Sequence, residues 1–253
     1  MSLIQTFRNI TRTFGFDIIR YQPEEIFSTD IPPSLVEVYK KVRPYTMTSA
    51  ERIFALCEAV KYIHENGIEG DIVECGVWKG GSMMAVASML LGLNDFGRDL
   101  YLFDTFTGMP PPTGADIDIE GVTANDLLVQ SDKQDEKSVW CYASLETVRA
   151  AVSSVGYPAE KIHLIEGMVE QTIPANAPEK IALLRLDTDW YESTKHEMEH
   201  LFPRLSKGGV LIIDDYGHWQ GARRAIDEYI ENHKVKILLQ RIDYSGRIAV
   251  KVE

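Results

Sequence analysis

The chain has 253 residues and a formal net charge of −12. That length holds one domain, or one domain with an appendage, and buries enough surface to need no covalent staples. The acidic balance excludes a nucleic-acid backbone as the expected partner, because phosphate binding needs a basic footprint. Cys57, Cys75 and Cys141 lie far apart and form no CxxC pair, as expected of a protein kept in a reducing cytoplasm with no disulfide framework. No apolar run reaches the ~18 residues of a membrane span, and the N-terminus lacks the apolar core and small-residue cleavage site of a secretion signal.

Residues 1–20 place Leu3, Ile4, Phe7, Ile10, Phe14 and Ile18 near helical spacing, with Arg8, Arg12 and Arg20 between them. The pattern predicts a helix packed on the body or on a second copy of the chain, and so favours a homo-oligomer. A membrane-surface helix is the sharper reading, but three arginines make a thin polybasic face. Pro23, Pro32, Pro33 and Pro44 make 21–44 an irregular connection. Thr48 or Ser49 caps a helix whose apolar positions Ile53, Leu56, Val60 and Ile63 run to the stop signal Asn66-Gly67.

The chain's organising stretch follows. Ile72-Val73-Glu74-Cys75 reads as a buried strand, Gly76 to Ser82 as a glycine-rich turn, and Met83, Val86, Ala87, Leu90 and Leu91 as a helix. Such a turn brings backbone N–H groups and a helix N-terminus up to a ligand. The spacing is Glu74-x-Gly76-x-x-x-Gly80, not the G-x-G-x-x-G of a dinucleotide fold. It resembles the nucleotide loop of class I S-adenosylmethionine methyltransferases. Residues 99–104 form a second strand ending in Asp104. An acid roughly 20–30 residues past the glycine turn is where a ribose diol is hydrogen-bonded, and the plain alternative is a turn aspartate.

Residues 107–140 hold Pro110-Pro111-Pro112 and seven acids from Asp116 to Glu136 without periodicity. A loop of that length is expected to be a lid over the substrate. A helix capped by Ser144 and a strand at 161–165 follow. The near-continuous apolar run 181–187 is a buried parallel strand. A helix from Tyr191, a strand over 209–215, a helix over 220–232 and strands at 235–239 and 247–251 around Tyr244-Ser245-Gly246 complete the count. Five β-α units and a hairpin predict an α/β fold: a doubly wound, mostly parallel seven-stranded sheet with a C-terminal antiparallel hairpin. The domain is expected over 45–253, with an N-terminal extension over 1–44.

Ligands of such a sheet bind beyond the carboxyl ends of the strands. Asp187, Asp189, Asp214 and Asp215 fall there. Four converging carboxylates cannot all stay ionised without a cation or raised pKa values. A hard divalent ion with oxygen ligands, Mg2+, is the simplest remedy, and the lack of Cys and His disfavours zinc. An alcohol is a poor nucleophile at neutral pH. A metal beside its oxygen and a carboxylate to take its proton would help it attack an already activated sulfonium methyl group.

Thr46-Met47, the stretch Val73 to Gly81, Phe103-Asp104-Thr105-Phe106, the stretch Leu184 to Tyr191 and Ile213-Asp214-Asp215-Tyr216 agree in order. Together these motifs resemble the macrocin/mycinamicin O-methyltransferase family, whose members methylate sugar hydroxyls on macrolide and aminocoumarin natural products. The resemblance covers roughly residues 45–250. It implies Mg2+ at Asp187, Asp214 and Asp215, with Asp189 as general base. It implies contacts to S-adenosylmethionine from Thr46, Met47, Glu74, Gly76, Trp78, Gly80, Ser82, Asp104, Phe106, Gly167 and Asp187. Residues 1–44 and 107–140 depart from the family pattern. These segments would build the pocket for a small-molecule or glycoside acceptor.

His196-Glu197-Met198-Glu199-His200 matches H-E-x-x-H. Met198 would pack on the sheet and both histidines would face solvent, so no catalytic zinc is expected there. His218 and Trp219 are candidates for the acceptor pocket. Trp140 and Tyr142 either stack on a sugar or anchor the lid, and Arg185 pairs with a nearby acid. Two further functions stay open: methylation of a phenol or catechol, and a non-catalytic cofactor-binding protein.

Overall fold

In the computed structural model, which describes residues 27–135 and 138–253, the apolar runs assemble into one seven-stranded sheet. The strands are β1 (Asp71–Cys75), β2 (Leu100–Asp104), β3 (Ile162–Glu166), β4 (Ile181–Leu186), β5 (Leu205–Ile213), β6 (Gln240–Arg241) and β7 (Arg247–Val250). Their order is β3-β2-β1-β4-β5-β7-β6. β1 to β5 pair in parallel, and β7 runs antiparallel to β5. The chain divides into Met1–Pro32 and Pro33–Glu253, and of the first unit only residues 27–32 are described. The helix expected over 1–20 lies outside the described residues.

Helices α1 (Pro33–Val42), α2 (Ala50–Glu65), α3 (Gly81–Gly92), α4 (Ala124–Gln130), α5 (Leu145–Ser153), α6 (Val169–Thr172), α7 (Tyr191–His200) and α8 (Gln220–Asn232) connect the strands. Alternation along the strands sorts their side chains between two helical layers. Val73, Leu184, Leu186, Leu211 and Ile213 pack with Met198 of α7 and Ile226 of α8. Glu74 and Arg185 therefore sit on the opposite face, the side from which α2 approaches β4 and β5. Burying each such aliphatic side chain contributes about 1.5–3 kcal/mol, which makes the sheet a rigid platform for whatever sits at its edge.

Three segments differ from the sequence expectations. Residues 21–44 are not irregular throughout, because α1 starts at Pro33, where proline fits a first helical turn. Its Leu35, Tyr39 and Val42 are buried at helical spacing. The 107–140 segment contains α4, capped by Thr123, whose side chain accepts from Asp126 N. Ala124 and Leu128 pack with Trp190 and Trp219. At the C-terminus the strand expected at 235–239 does not pair. Val235, Ile237 and Leu239 pack against the core instead, and only Gln240 and Arg241 join β7. The alternating apolar pattern there is satisfied by packing rather than by a ladder.

Candidate active site

The carboxyl ends of β1, β4 and β5 meet at one place. Gly76 follows β1 with φ 82°, and a Cβ there would collide with the backbone carbonyl of Asp187. Only glycine lets the turn pass this close to the end of β4. Gly80, at φ 87°, is the N-cap of α3. Asp104 closes the turn from β2. Its Oδ2 accepts from Val77 N (2.7 Å) and Trp78 N (3.1 Å), and its Oδ1 from Phe106 N (2.7 Å). Burial raises the Asp104 carboxyl above its ordinary range, against the pull of those N–H groups. Most of its accepting capacity thus shapes the turn, and what remains faces the cavity.

A cavity of about 420 Å3 opens above this point, within the size range of small-molecule sites. Of the residues expected to touch the cofactor, Thr46, Met47, Gly76, Trp78 and Ser82 line it, as do Asp104, Gly167 and Asp187. Glu74, Gly80 and Phe106 do not line it. Glu74 is 1% exposed and points at Arg185, whose Nη1 donates to Glu74 Oε1 at 2.7 Å. Gly80 lies against Val148 and Val152 of α5, and Phe106 is buried.

The far wall is acidic. β4 ends at Leu186 and β5 at Ile213, so Asp187, Asp189, Asp214 and Asp215 all sit on the turns past the strands and line the cavity. Ligand oxygens of Asp187, Asp214 and Asp215 lie within 4.8 Å of one another. Burial, with the neighbouring aspartates, pushes the carboxyls of Asp187 and Asp215 well above the usual range. Asp189 takes φ 67° and lies within hydrogen-bond reach of Asp215. Burial pushes its carboxyl up to about 7, and the charges of Asp187 and Asp214 add to the rise.

Two guanidiniums offset this charge. Arg185 Nη1 donates to Asp187 Oδ2 at 2.7 Å, and its Nη2 lies 2.7 Å from Asp214 Oδ1. Arg52, from the first turn of α2, pairs with Asp214 Oδ2 and donates from Nε to Asp243 Oδ2 at 2.9 Å. The Arg185 pairing follows the sequence expectation, whereas Arg52 and Asp243 carried no such reading. One signal was present: a basic residue in a first helical turn opposes the helix dipole, so Arg52 needed an acid from elsewhere.

The remaining candidates divide. His218 and Trp219 line the cavity. Trp140 does not, and its Nε1 donates to Leu128 O at 3.0 Å, the anchoring role. The H-E-x-x-H stretch does not bring its glutamate and histidines to one face. Glu197 points into the core and accepts from Thr188 Oγ1 at 2.9 Å. His196 and His200 are half-buried rather than fully solvent-facing, with His196 Nε2 3.0 Å from Ile173 O. Among the described residues, the aspartate triad is the one group of three or more ligating side chains.

Comparison with known proteins identifies the family. The family model described as "Macrocin-O-methyltransferase (TylF)" matches residues 39–250. The chain belongs to the macrocin O-methyltransferase family. It is 32% identical, over 80% of its length and 74% of the relative's, to the 8-demethyl-8-(2,3-dimethoxy-alpha-L-rhamnosyl)-tetracenomycin-C 4'-O-methyltransferase of Streptomyces olivaceus. It is 30% identical, over 80% of its length and 76% of the relative's, to the mycinamicin III 3''-O-methyltransferase of Micromonospora griseorubida. The solved structure of the O-methyltransferase NovP matches with a TM-score of 0.70 at 26% identity, covering 83% of each chain. As a macrocin O-methyltransferase, the chain is an enzyme that uses S-adenosylmethionine.

The cavity fits that donor. Trp78 Nε1 on the cavity wall is buried without a partner, an N–H available to a polar ligand. The donor set of the acidic wall, three carboxylates and no sulfur or imidazole, fits a hard cation such as Mg2+.

Proposed function

We propose that this macrocin O-methyltransferase methylates a sugar hydroxyl of a glycosylated small molecule. Asp189 serves as general base, and Asp187, Asp214 and Asp215 hold a magnesium ion. The sugar reading takes its support from relatives whose printed acceptors carry sugars. The observation that carries the mechanism is Asp189. Its carboxyl lines the same cavity as the glycine turn, beside the triad, and is held near neutral affinity for a proton.

S-adenosylmethionine, when bound, supplies a methyl group already activated on a sulfonium. A magnesium ion, when bound, supplies positive charge beside a hydroxyl that is losing its proton. The chain does the rest. Asp104 sets the N–H groups of the glycine turn. The turn and Thr46-Met47 orient the donor. Asp189 accepts the hydroxyl proton as the new bond forms. Met109 and Leu127, with Trp219 and His218, wall off the acceptor end and exclude water. In the same proposal the 107–140 segment is the lid. The N-terminal extension ends at Pro32 rather than at residue 44, since α1 packs within the second unit. The enzyme works as an assembly of copies in a reducing cytoplasm.

The test is incubation with S-adenosylmethionine, Mg2+ and a panel of rhamnosides, glycosylated polyketides, phenols and catechols, with products read by mass spectrometry. One methyl group added to a sugar hydroxyl is the expected product. Methylation of phenols or catechols alone would overturn the sugar reading and leave the enzyme class intact. Without added metal, kcat/KM should rise with pH through about 7, because the base works only when deprotonated. Mg2+ should move that rise to lower pH, since a nearby cation favours the carboxylate. A flat profile would remove Asp189 as the base.

A further inference from the structure

Arg185 stands in the middle of β4, a strand buried at every position, and is itself 3% exposed. A guanidinium so far from water is costly unless every donor has a partner. Each partner here comes from a different element. Nη1 donates to Glu74 Oε1 on β1 and to Asp187 Oδ2 past β4, both at 2.7 Å. Nη2 lies 2.7 Å from Asp214 Oδ1 past β5 and donates to Thr48 Oγ1, ahead of α2, at 3.1 Å. Glu74 and Arg185 are direct register partners on adjacent strands. Glu74 and Thr48 therefore hold the head group from behind, and Asp187 and Asp214 receive it in front.

We propose that Arg185 is a positioning residue for the cation site: held by Glu74 and Thr48, it fixes the rotation of the Asp187 carboxylate and, together with Arg52, that of Asp214, so that one oxygen of each converges with Asp215. The proposal rests on the reading of those three aspartates as cation ligands. It also gives Glu74 a task. The glutamate of the E-x-G turn does not line the cavity, and its work is to anchor the arginine. A rigid planar fork can meet three carboxylates at fixed angles. A lysine offers the same charge as a single flexible point and cannot. Carboxylates that ligate a metal are themselves oriented by such partners, and losing one typically lowers metal affinity about 10–100-fold.

The probe is Mn2+ alone, titrated by the loss of its free-ion electron paramagnetic resonance signal. S-adenosylhomocysteine binding is measured in parallel by calorimetry. Wild type should show one saturable Mn2+ site that Asp214→Asn removes. Absence of such a site would bring down the cation reading and this proposal with it. Arg185→Lys keeps the charge and should weaken Mn2+ binding about tenfold or more, with S-adenosylhomocysteine binding unchanged. Thr48→Val removes one hydrogen bond to the guanidinium at nearly constant shape, and should weaken Mn2+ binding about threefold. If Arg185→Lys does not melt cooperatively, Thr48→Val decides alone. Mn2+ affinity equal to wild type in the folded variants would overturn the positioning role. A parallel loss of S-adenosylhomocysteine binding would also overturn it, because Arg185 would then support the fold in general.

Discussion

Asp116, in the segment between β2 and α5, is fully buried and accepts from Thr113 N (2.6 Å), Thr113 Oγ1 (2.8 Å) and Tyr191 N (2.7 Å). Asp189, just before the same Tyr191, faces three other aspartates and carries its carboxyl near 7. Asp116 binds the first N–H of α7 and Asp189 stands two residues before that helix, and what surrounds them separates their uses. N–H and O–H donors consume the accepting capacity of Asp116, so it ties the insertion to the helix. Asp118 does the same for a turn, accepting from Glu120 N and Val122 N. Carboxylates packed against carboxylates keep unspent capacity and raised proton affinity, which suits a base or a cation ligand.

Exchanging side chains tests that contrast directly. Asp189→Asn keeps the shape but cannot take a proton, and should lower kcat about 10²–10⁴-fold with the fold intact. Full activity in this variant would dissolve the distinction. Asp214→Ala should cost about 3–5 kcal/mol in urea unfolding, because it strands Arg185 and Arg52 without a shared acid. A loss well under that would mean the two arginines find other partners. Asp116→Ala should cost about 2–3 kcal/mol for its lost hydrogen bonds, and should raise KM for the acceptor far more than it lowers kcat. A change confined to kcat would place Asp116 with the reacting groups. Thr123→Ala, which removes only the cap of α4, should cost about 1 kcal/mol by thermal melting and leave cofactor binding as it was.

The contrast also marks how far the sequence could be read. Asp187, Asp189, Asp214 and Asp215 were visible as site candidates because each follows an apolar run, and such runs end where ligands bind. Asp116 and Asp118 were visible only as part of an acidic loop, since no local pattern tells which backbone N–H an acid will meet. The helix α4 was hidden for a related reason. Its apolar face is short, and it becomes stable by packing on Trp190 and Trp219, which lie well downstream. The family resemblance implies a cofactor contact for the E-x-G glutamate, Glu74. Strand alternation turns its side chain toward α2 and Arg185.

Sequence alone determined β1 to β5, the helices α2, α3, α5, α7 and α8 before, between and after them, the glycine turn at Gly76 and the placement of acids past β4 and β5. Those features depend on short-range periodicity and on backbone conformations that neighbouring residues dictate. Tertiary structure alone decided which charges meet. Arg52 reaches Asp214 and Asp243, which stand 162 and 191 residues further along the chain. Arg185 reaches Glu74 because β1 lies beside β4 in the sheet. Ion pairs of that span follow from strand order and helix docking, and no spacing along the chain encodes them.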